Sequence, residues 1–231
     1  MQSQLPADGL PIRIISIEGG IGVGKSTVMA HLRKAMPELH FIDEPVNLWE
    51  EAGLLKAMYD GSIPPGTFQI AALSTRMAPL LKAVREGHRV IVTERCPWSD
   101  LQVFTKANLP EDSVELAAYV MAYDALMTAM PPYITLWNIY LTAKVDTLVE
   151  RIGTRNRPSE RTACEAAKAN RRGYLDKLQA RHDAFYNSTA ADLGVANYFS
   201  TCISSELPSQ QVCTTVEACV SRIARGTSTA N

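Results

Sequence analysis

The sequence predicts an α/β protein in which helices cover both faces of a parallel β-sheet. Three observations predict it. Five short runs rich in β-branched and aromatic residues recur along the chain. Longer stretches with apolar residues at helical spacing separate them. A glycine-rich loop follows the first run and opens the first helical stretch. Alternation of this kind makes each connection a crossover helix, so the sheet is parallel and covered on both sides. With 231 residues and neither repeats nor a long linker, one domain over residues 1–231 is expected, with flexible ends at 1–11 and 226–231.

Each element has its own justification. The first strand is IRIISI (12–17), and the helix after its loop ends near Pro37. LHFI (39–42), RVIVT (89–93), YITLWNIYL (133–141) and VANYF (195–199) supply the other four strands. From Ser113 to Met130 the residues Leu116, Val120, Tyr123 and Met127 fall at helical spacing, with Asp112 or Ser113 as cap and Pro131-Pro132 as the stop. QQVCTTVEACVSRIAR reads as a closing helix. In such sheets ligands bind at the carboxyl ends of the strands, so the residues just after each strand carry the chemistry.

Composition narrows the partners. Hydrophobic content of 46% and charged content of 20% are those of an ordinary globular protein. A net charge of −1 gives no reason to expect nucleic acid or an acidic membrane surface. No apolar stretch approaches the ~20 residues that span a bilayer. The start, MQSQLPADGLP, has no basic residue before Arg13 and no apolar core, unlike a secretory or mitochondrial leader. Five cysteines, at 96, 164, 202, 213 and 219, are an odd number without C-x-x-C spacing, which points to reduced thiols. A cytoplasmic location follows by elimination.

The loop Gly19-x-x-x-x-Gly24-Lys25-Ser26 fits the phosphate-binding P-loop, between a strand and a helix as that motif requires. Backbone N–H groups from Gly19, Gly20, Ile21, Gly22, Val23 and Gly24 through Thr27 can turn toward an anion, and the helix dipole favours negative charge there. Lys25 is expected to reach the β- and γ-phosphates of a nucleoside triphosphate, and Ser26 to ligate Mg²⁺.

Two carboxylates follow neighbouring strands: Glu44 after LHFI and Glu94 after RVIVT. Phosphoryl transfer to a hydroxyl needs a base within hydrogen-bond reach and a group to hold the metal. Glu44 suits the first role and Glu94 the second, while Arg95 can steady the developing charge. A switch or motor ATPase would show an aliphatic run ending in Asp, so RVIVTER tilts the reading toward a small-molecule kinase.

Between Trp49 and Phe104 the spacing suits a pocket for an aromatic ring. Phe68-Gln69 opens a helix and Arg76 lies two turns beyond Gln69 on the same face. A glutamine amide matches the edge of a nucleobase, and Trp49 with Phe104 can stack on its faces.

These segments together resemble a known family. IEGGIGVGKST, DEPVNLW, MYDG…TFQIAALSTR, ERCPWSDLQVF and RIGTRNR occur in the order of the deoxynucleoside kinases, over about residues 12–186. The resemblance implies a P-loop fold with a five-stranded parallel sheet of order 2-3-1-4-5, and a homodimer. It implies transfer from ATP, with Mg²⁺, to the 5′-hydroxyl of a deoxynucleoside. Glu44 becomes the base; Tyr59 matches the tyrosine on the sugar 3′-hydroxyl; Trp49, Phe68 and Phe104 match aromatics around the base, and Gln69 the residue on its edge. Arg76 and Asp100, with Ala72 one turn earlier, match members that prefer deoxycytidine or purine deoxynucleosides over thymidine. The physics agrees, since Asp100 can accept from an exocyclic amine while Arg76 both pairs with it and fills the space of a thymine methyl.

Residues 151–181 hold nine Lys or Arg against three acidic residues. Arg151, Arg155 and Arg157 surround a Gly/Asn-containing break, where arginines can close over a triphosphate. The family resemblance makes this an Arg-rich lid, about 151–170, and places a 3′-hydroxyl-binding glutamate after it. Glu160 is preferred by spacing, with Glu165 open because RTACEAAKAN departs from the pattern. Cys96 stands where the family usually has Ser, as a small replacement. STCISSE, after the last strand, is expected near the donor's base. A broad-specificity or thymidine-preferring kinase, a thymidylate kinase and a non-catalytic nucleotide binder remain as alternatives. Glu-Pro-Val-Asn in place of Glu-Pro-Gly-Gly disfavours the thymidylate kinase.

Overall fold

The structure, a computed structural model, describes residues 11–155 and 170–226. Its strands are β1 (Ile12–Gly19), β2 (His40–Ile42), β3 (Val90–Glu94), β4 (Ile134–Thr142) and β5 (Asn197–Ser204). All pair in parallel, in the order β2-β3-β1-β4-β5 that the resemblance implies. β1 lies at the centre, with Ile17 opposite Glu94 of β3 and Gly19 opposite Leu141 of β4. The carboxyl ends of all the strands therefore share one edge of the sheet.

The connections are helical: α1 (Lys25–Ala35), α2 (Val46–Glu51), α3 (Leu54–Tyr59), α4 (Pro65–Arg85), α5 (Pro97–Ser99), a π-helical turn (Asp100–Thr105), α6 (Lys106–Asn108) and α7 (Val114–Met127). After β4 come α8 (Val145–Arg155), α9 (Arg171–Tyr186), α10 (Ala190–Leu193) and, after β5, α11 (Ser209–Arg225). Side chains alternate across β1, which divides the core. Ile12 and Ile14 pack with Leu73 and Met77 of α4, Tyr119 of α7 and Phe185 of α9. Ile15 and Ile17 pack on the other face with Val28 and Leu32 of α1, Leu148 of α8 and Val216 of α11. A third group, Trp49, Leu55, Phe68 and Ala72, forms away from the sheet and walls the site.

Several boundaries differ from the sequence reading. β5 runs on to Ser204, so most of STCISSE is strand rather than loop. α8 continues through Gly153 to Arg155 without a break, since one glycine costs a helix only about 1 kcal/mol. In α7 the buried stripe runs through Tyr119 and Tyr123 rather than Val120, and Ser113 is the cap, accepting from the Leu116 N–H at 3.1 Å. Among the described residues, no helix is long and apolar enough to cross a membrane.

Candidate active site

The P-loop conformation is one that glycine alone adopts easily. Gly19, Gly22 and Gly24 have φ of 134°, 84° and 106°. A Cβ on Gly19 would run into the Leu141 carbonyl oxygen, so β4 also enforces that glycine. α1 starts at Lys25 with no side-chain cap, leaving its N-terminal dipole for a ligand. Lys25 Nζ donates to the Gly19 and Gly20 carbonyls at 3.4 and 3.3 Å. Burial, helped by the charge of Arg95, pulls the Lys25 ammonium down to about 8.

Glu44 follows β2 and faces two arginines. Arg76 Nη2 donates to Glu44 Oε1, and Arg95 Nε donates to the same oxygen at 3.1 Å. Burial alone would raise the Glu44 carboxyl, but the charges of Arg95 and Arg76 bring it down to about 2. Glu94 ends β3 and accepts from Ser26 Oγ at 3.0 Å. Burial pushes its carboxyl upward against the pull of Lys25.

Arg95 has φ of 65°, the one positive value outside glycine among the described residues. Such strain persists only where the surroundings enforce it, and it gathers at functional sites. Four contacts enforce it here. Nη1 donates to the Gly19 carbonyl at 3.0 Å, Nε holds Glu44, and the guanidinium lies 4.3 Å from the Phe104 ring centre. Glu18 Oε2, fully buried beneath it, is 3.9 Å away. Phe104 meets the edge of buried His182, which burial keeps neutral.

Arg76 is buried, with Nη1 donating to Asp100 and its guanidinium 4.9 Å from the Trp49 ring centre. Burial, with Glu44 and Glu18 adding negative charge, outweighs Arg76 and pushes the Asp100 carboxyl up to about 6. Trp49 is fixed in turn by a 2.9 Å bond from Nε1 to Thr75 Oγ1, and it packs edge-on against Phe68.

These groups surround a cavity of about 560 Å³. Of the sequence-predicted residues, Ile21 to Thr27 of the P-loop form its floor, and Glu44, Glu94 and Arg95 stand beside them. Trp49, Tyr59, Phe68, Gln69, Ala72, Arg76 and Phe104 make one wall; Arg151 and Arg155 stand at the other. Asp100 does not reach the cavity: it lies behind Arg76, 1% exposed. Gly19 and Gly20 also lie behind the lining. Arg157, Glu160 and Glu165 fall outside the described residues. Cys96 is buried, and burial pushes its thiol well up, consistent with a small packing residue.

The fold and this geometry coincide with a family assignment. The family model described as deoxynucleoside kinase matches residues 15–221. The chain belongs to the deoxynucleoside kinase family. As a member it is a phosphotransferase. The mitochondrial deoxyguanosine kinase of Xenopus laevis is 26% identical over 215 residues, covering 81% of this chain and 78% of that one. Deoxycytidine kinase 1 of Xenopus laevis is 29% identical over 203 residues, covering 75% of this chain and 74% of its own. The structure of M. mycoides deoxyadenosine kinase, with the products dCMP and dCDP bound, matches 90% of this chain and 98% of its own with a TM-score of 0.68. Its identity of 23% makes that a likeness of fold.

In this deoxynucleoside kinase several lining residues escaped the sequence reading: Met58, Tyr174, Ser205, Leu207 and Cys213. Ser205 has a signal, since it sits in STCISSE, the stretch expected near the donor's base. It accepts from Arg151, whose Nη1 and Nη2 reach Ser205 Oγ and O at 3.1 and 2.8 Å, while Nη1 also touches the Val23 carbonyl at 3.3 Å. Tyr174 had no signal; it accepts from Asn108 at 3.2 Å across two helices.

Proposed function

We propose that this kinase transfers the γ-phosphoryl group of ATP, with Mg²⁺, to the 5′-hydroxyl of a deoxynucleoside, preferring deoxycytidine or purine deoxynucleosides over thymidine. The observation that carries this is Arg95, bonded at once to Glu44 Oε1 and to the Gly19 carbonyl of the P-loop. One guanidinium thus joins a candidate proton acceptor to the phosphate-binding loop. Glu44 takes the 5′-hydroxyl proton as the phosphoryl group arrives, and Arg95 with Lys25 offsets the charge on the transferring oxygens. Ser26 and Glu94 offer a hydroxyl and a carboxylate side by side, hard oxygen donors that suit Mg²⁺. Bound there, the ion would neutralise charge on the β- and γ-phosphates.

The Gln69 amide reads the base edge between Trp49, Phe68 and Phe104, with Ala72 leaving it room. Arg76, backed by Asp100, disfavours a 5-methyl group. Tyr59 and Glu160 hold the sugar 3′-hydroxyl, and Arg151, Arg155 and Arg157 serve the triphosphate as a lid over residues 151–170. The whole acts as one domain in the cytoplasm. A homodimer through α7 accounts for the exposure of Val114 (85%) and Met121 (74%) on that helix. The test is one coupled assay over the four deoxynucleosides plus thymidylate. Higher kcat/KM for an amino-bearing deoxynucleoside is expected, and a value for thymidine that equals or exceeds the others overturns the base preference.

A further inference from the structure

We propose that Arg76 is a positioning residue for Glu44, so that the side chain placed to discriminate the base also sets the geometry of proton removal. The proposal rests on the kinase reading above, with Glu44 as base.

The Arg76 guanidinium is a planar fork whose donors keep fixed relative directions. One arm, Nη1, donates to Asp100 in the π-helical turn; the other, Nη2, donates to Glu44 after β2. The flat face rests on Trp49 of α2, 4.9 Å away, and Trp49 is pinned to Thr75, the neighbour of Arg76 in α4. Arg76 is therefore held from three directions and cannot turn toward one carboxylate without moving the other. Two buried atoms in this unit have no hydrogen-bond partner, Arg76 Nε and Asp100 Oδ2.

Asp100 lies behind Arg76 while Arg76 lines the cavity, so a base in the cavity meets the arginine first. Any shift of the fork on base binding moves its other arm against Glu44. The groups facing Glu44 are Arg76 from α4, Arg95 after β3 and Lys25 at the start of α1. Arg95 is also committed to the Gly19 carbonyl and to Phe104, whereas Arg76 shares its wall with Gln69 and meets the base edge directly. Binding energy from the remote part of the substrate is in this way used to orient the reacting group.

The test is a double-mutant cycle of Arg76→Met and Glu44→Gln, with deoxycytidine and deoxyuridine as acceptors. Deoxyuridine has a carbonyl where deoxycytidine has the amine. Wild-type turnover tests the kinase reading by itself; the ratio of variant to wild type tests the coupling. Arg76→Met is expected to lower kcat by about a hundredfold for both nucleosides, since small misplacement of a reacting group costs that much. It is expected to cost little more once Glu44→Gln is present, and Arg76→Lys should recover part of kcat. A loss confined to KM or to the deoxycytidine:deoxyuridine ratio overturns the proposal. Equal losses from Arg76→Met in the wild-type and Glu44→Gln backgrounds overturn it too, because independent groups add and coupled ones do not.

Discussion

The Ser26 hydroxyl donates to Glu94 Oε1 at 3.0 Å, joining the first turn of α1 to the last residue of β3 across 68 positions of sequence. Neither residue reaches the other by local folding. The parallel pairing of β1 with β3, in which Ile17 lies opposite Glu94, brings them together. Two oxygen donors are thereby held close before any cation arrives, with the Lys25 ammonium nearby.

Removing the charge of Glu94 should weaken the metal more than the nucleoside. Glu94→Gln is expected to raise the Mg²⁺ concentration for half-maximal rate at least about tenfold, with nucleoside KM little changed. Initial rates over a Mg²⁺ series at fixed ATP check this, and an unchanged Mg²⁺ curve removes Glu94 from the metal.

Glu44→Gln should lower kcat by roughly 10²–10⁴-fold, the range for loss of a general base, while deoxynucleoside affinity by calorimetry stays within a few-fold. The carboxyl is held at about 2, so it is ionised throughout the working range. The stability it contributes is fully present above the ordinary carboxylate value and is lost as pH falls toward that figure. An acid limb of activity near neutrality therefore belongs to another group, and Asp100, pushed up to about 6, is the candidate. Asp100→Asn should flatten a limb near that pH.

Lys25 gives a pH dependence of opposite sense. Its ammonium is held at about 8 in the free enzyme, so only around and above that pH do phosphates replacing the carbonyls it now touches restore a proton the free lysine has lost. Donor binding is then strongest below that pH and weakens above it, where a proton is taken up on binding. Calorimetry of ATP in buffers of different ionisation enthalpy measures the uptake, which Lys25→Met should abolish.

Arg151→Ala should raise the ATP KM by roughly tenfold, the effect of losing charge-assisted hydrogen bonds, and leave the deoxynucleoside KM alone. The reason is that Arg151 ties Ser205 to the Val23 carbonyl in the P-loop, away from Gln69 and Trp49. An equal rise in both KM values would contradict that division of the cavity.

Gly19→Ala should unfold at lower temperature and lose donor binding together. An alanine there adopts a φ of 134° at a cost of about 1–3 kcal/mol and also presses on the Leu141 carbonyl. Gly153, where an added Cβ meets nothing, is the control, and Gly153→Ala should be neutral or slightly stabilising.

What the sequence reveals is what is encoded locally. Strand runs, the glycine loop and the carboxylates following β2 and β3 are each contained in a few consecutive residues, and the sheet order follows from a family resemblance carried by such segments. Gln69 and Arg76 share a wall because helical spacing places them there. The bond between Arg76 and Glu44 was not legible, because it depends on how α4 tilts toward the end of β2. The hold of Arg151 on Ser205, 54 residues away, depends likewise on the approach of α8 to the turn after β5. The retreat of Asp100 behind Arg76 comes from the π-helical turn that carries it, and no residue in DLQVFT announces that turn. Strand ends also shift by a residue or more, since pairing with a neighbour sets where a strand stops.

β1 is laddered on both edges and covered on both faces, so its amide protons can meet solvent only after much of the molecule opens. Exchange with deuterium should accordingly be slowest along Ile14–Ile17 and far faster along β5, whose outer edge has no neighbouring strand among the described residues. The glycine-rich turn after β1 is thus hung from the last segment to yield as the chain breathes. Its shape persists through local openings that would already have dispersed the cavity wall of Trp49 and Phe68.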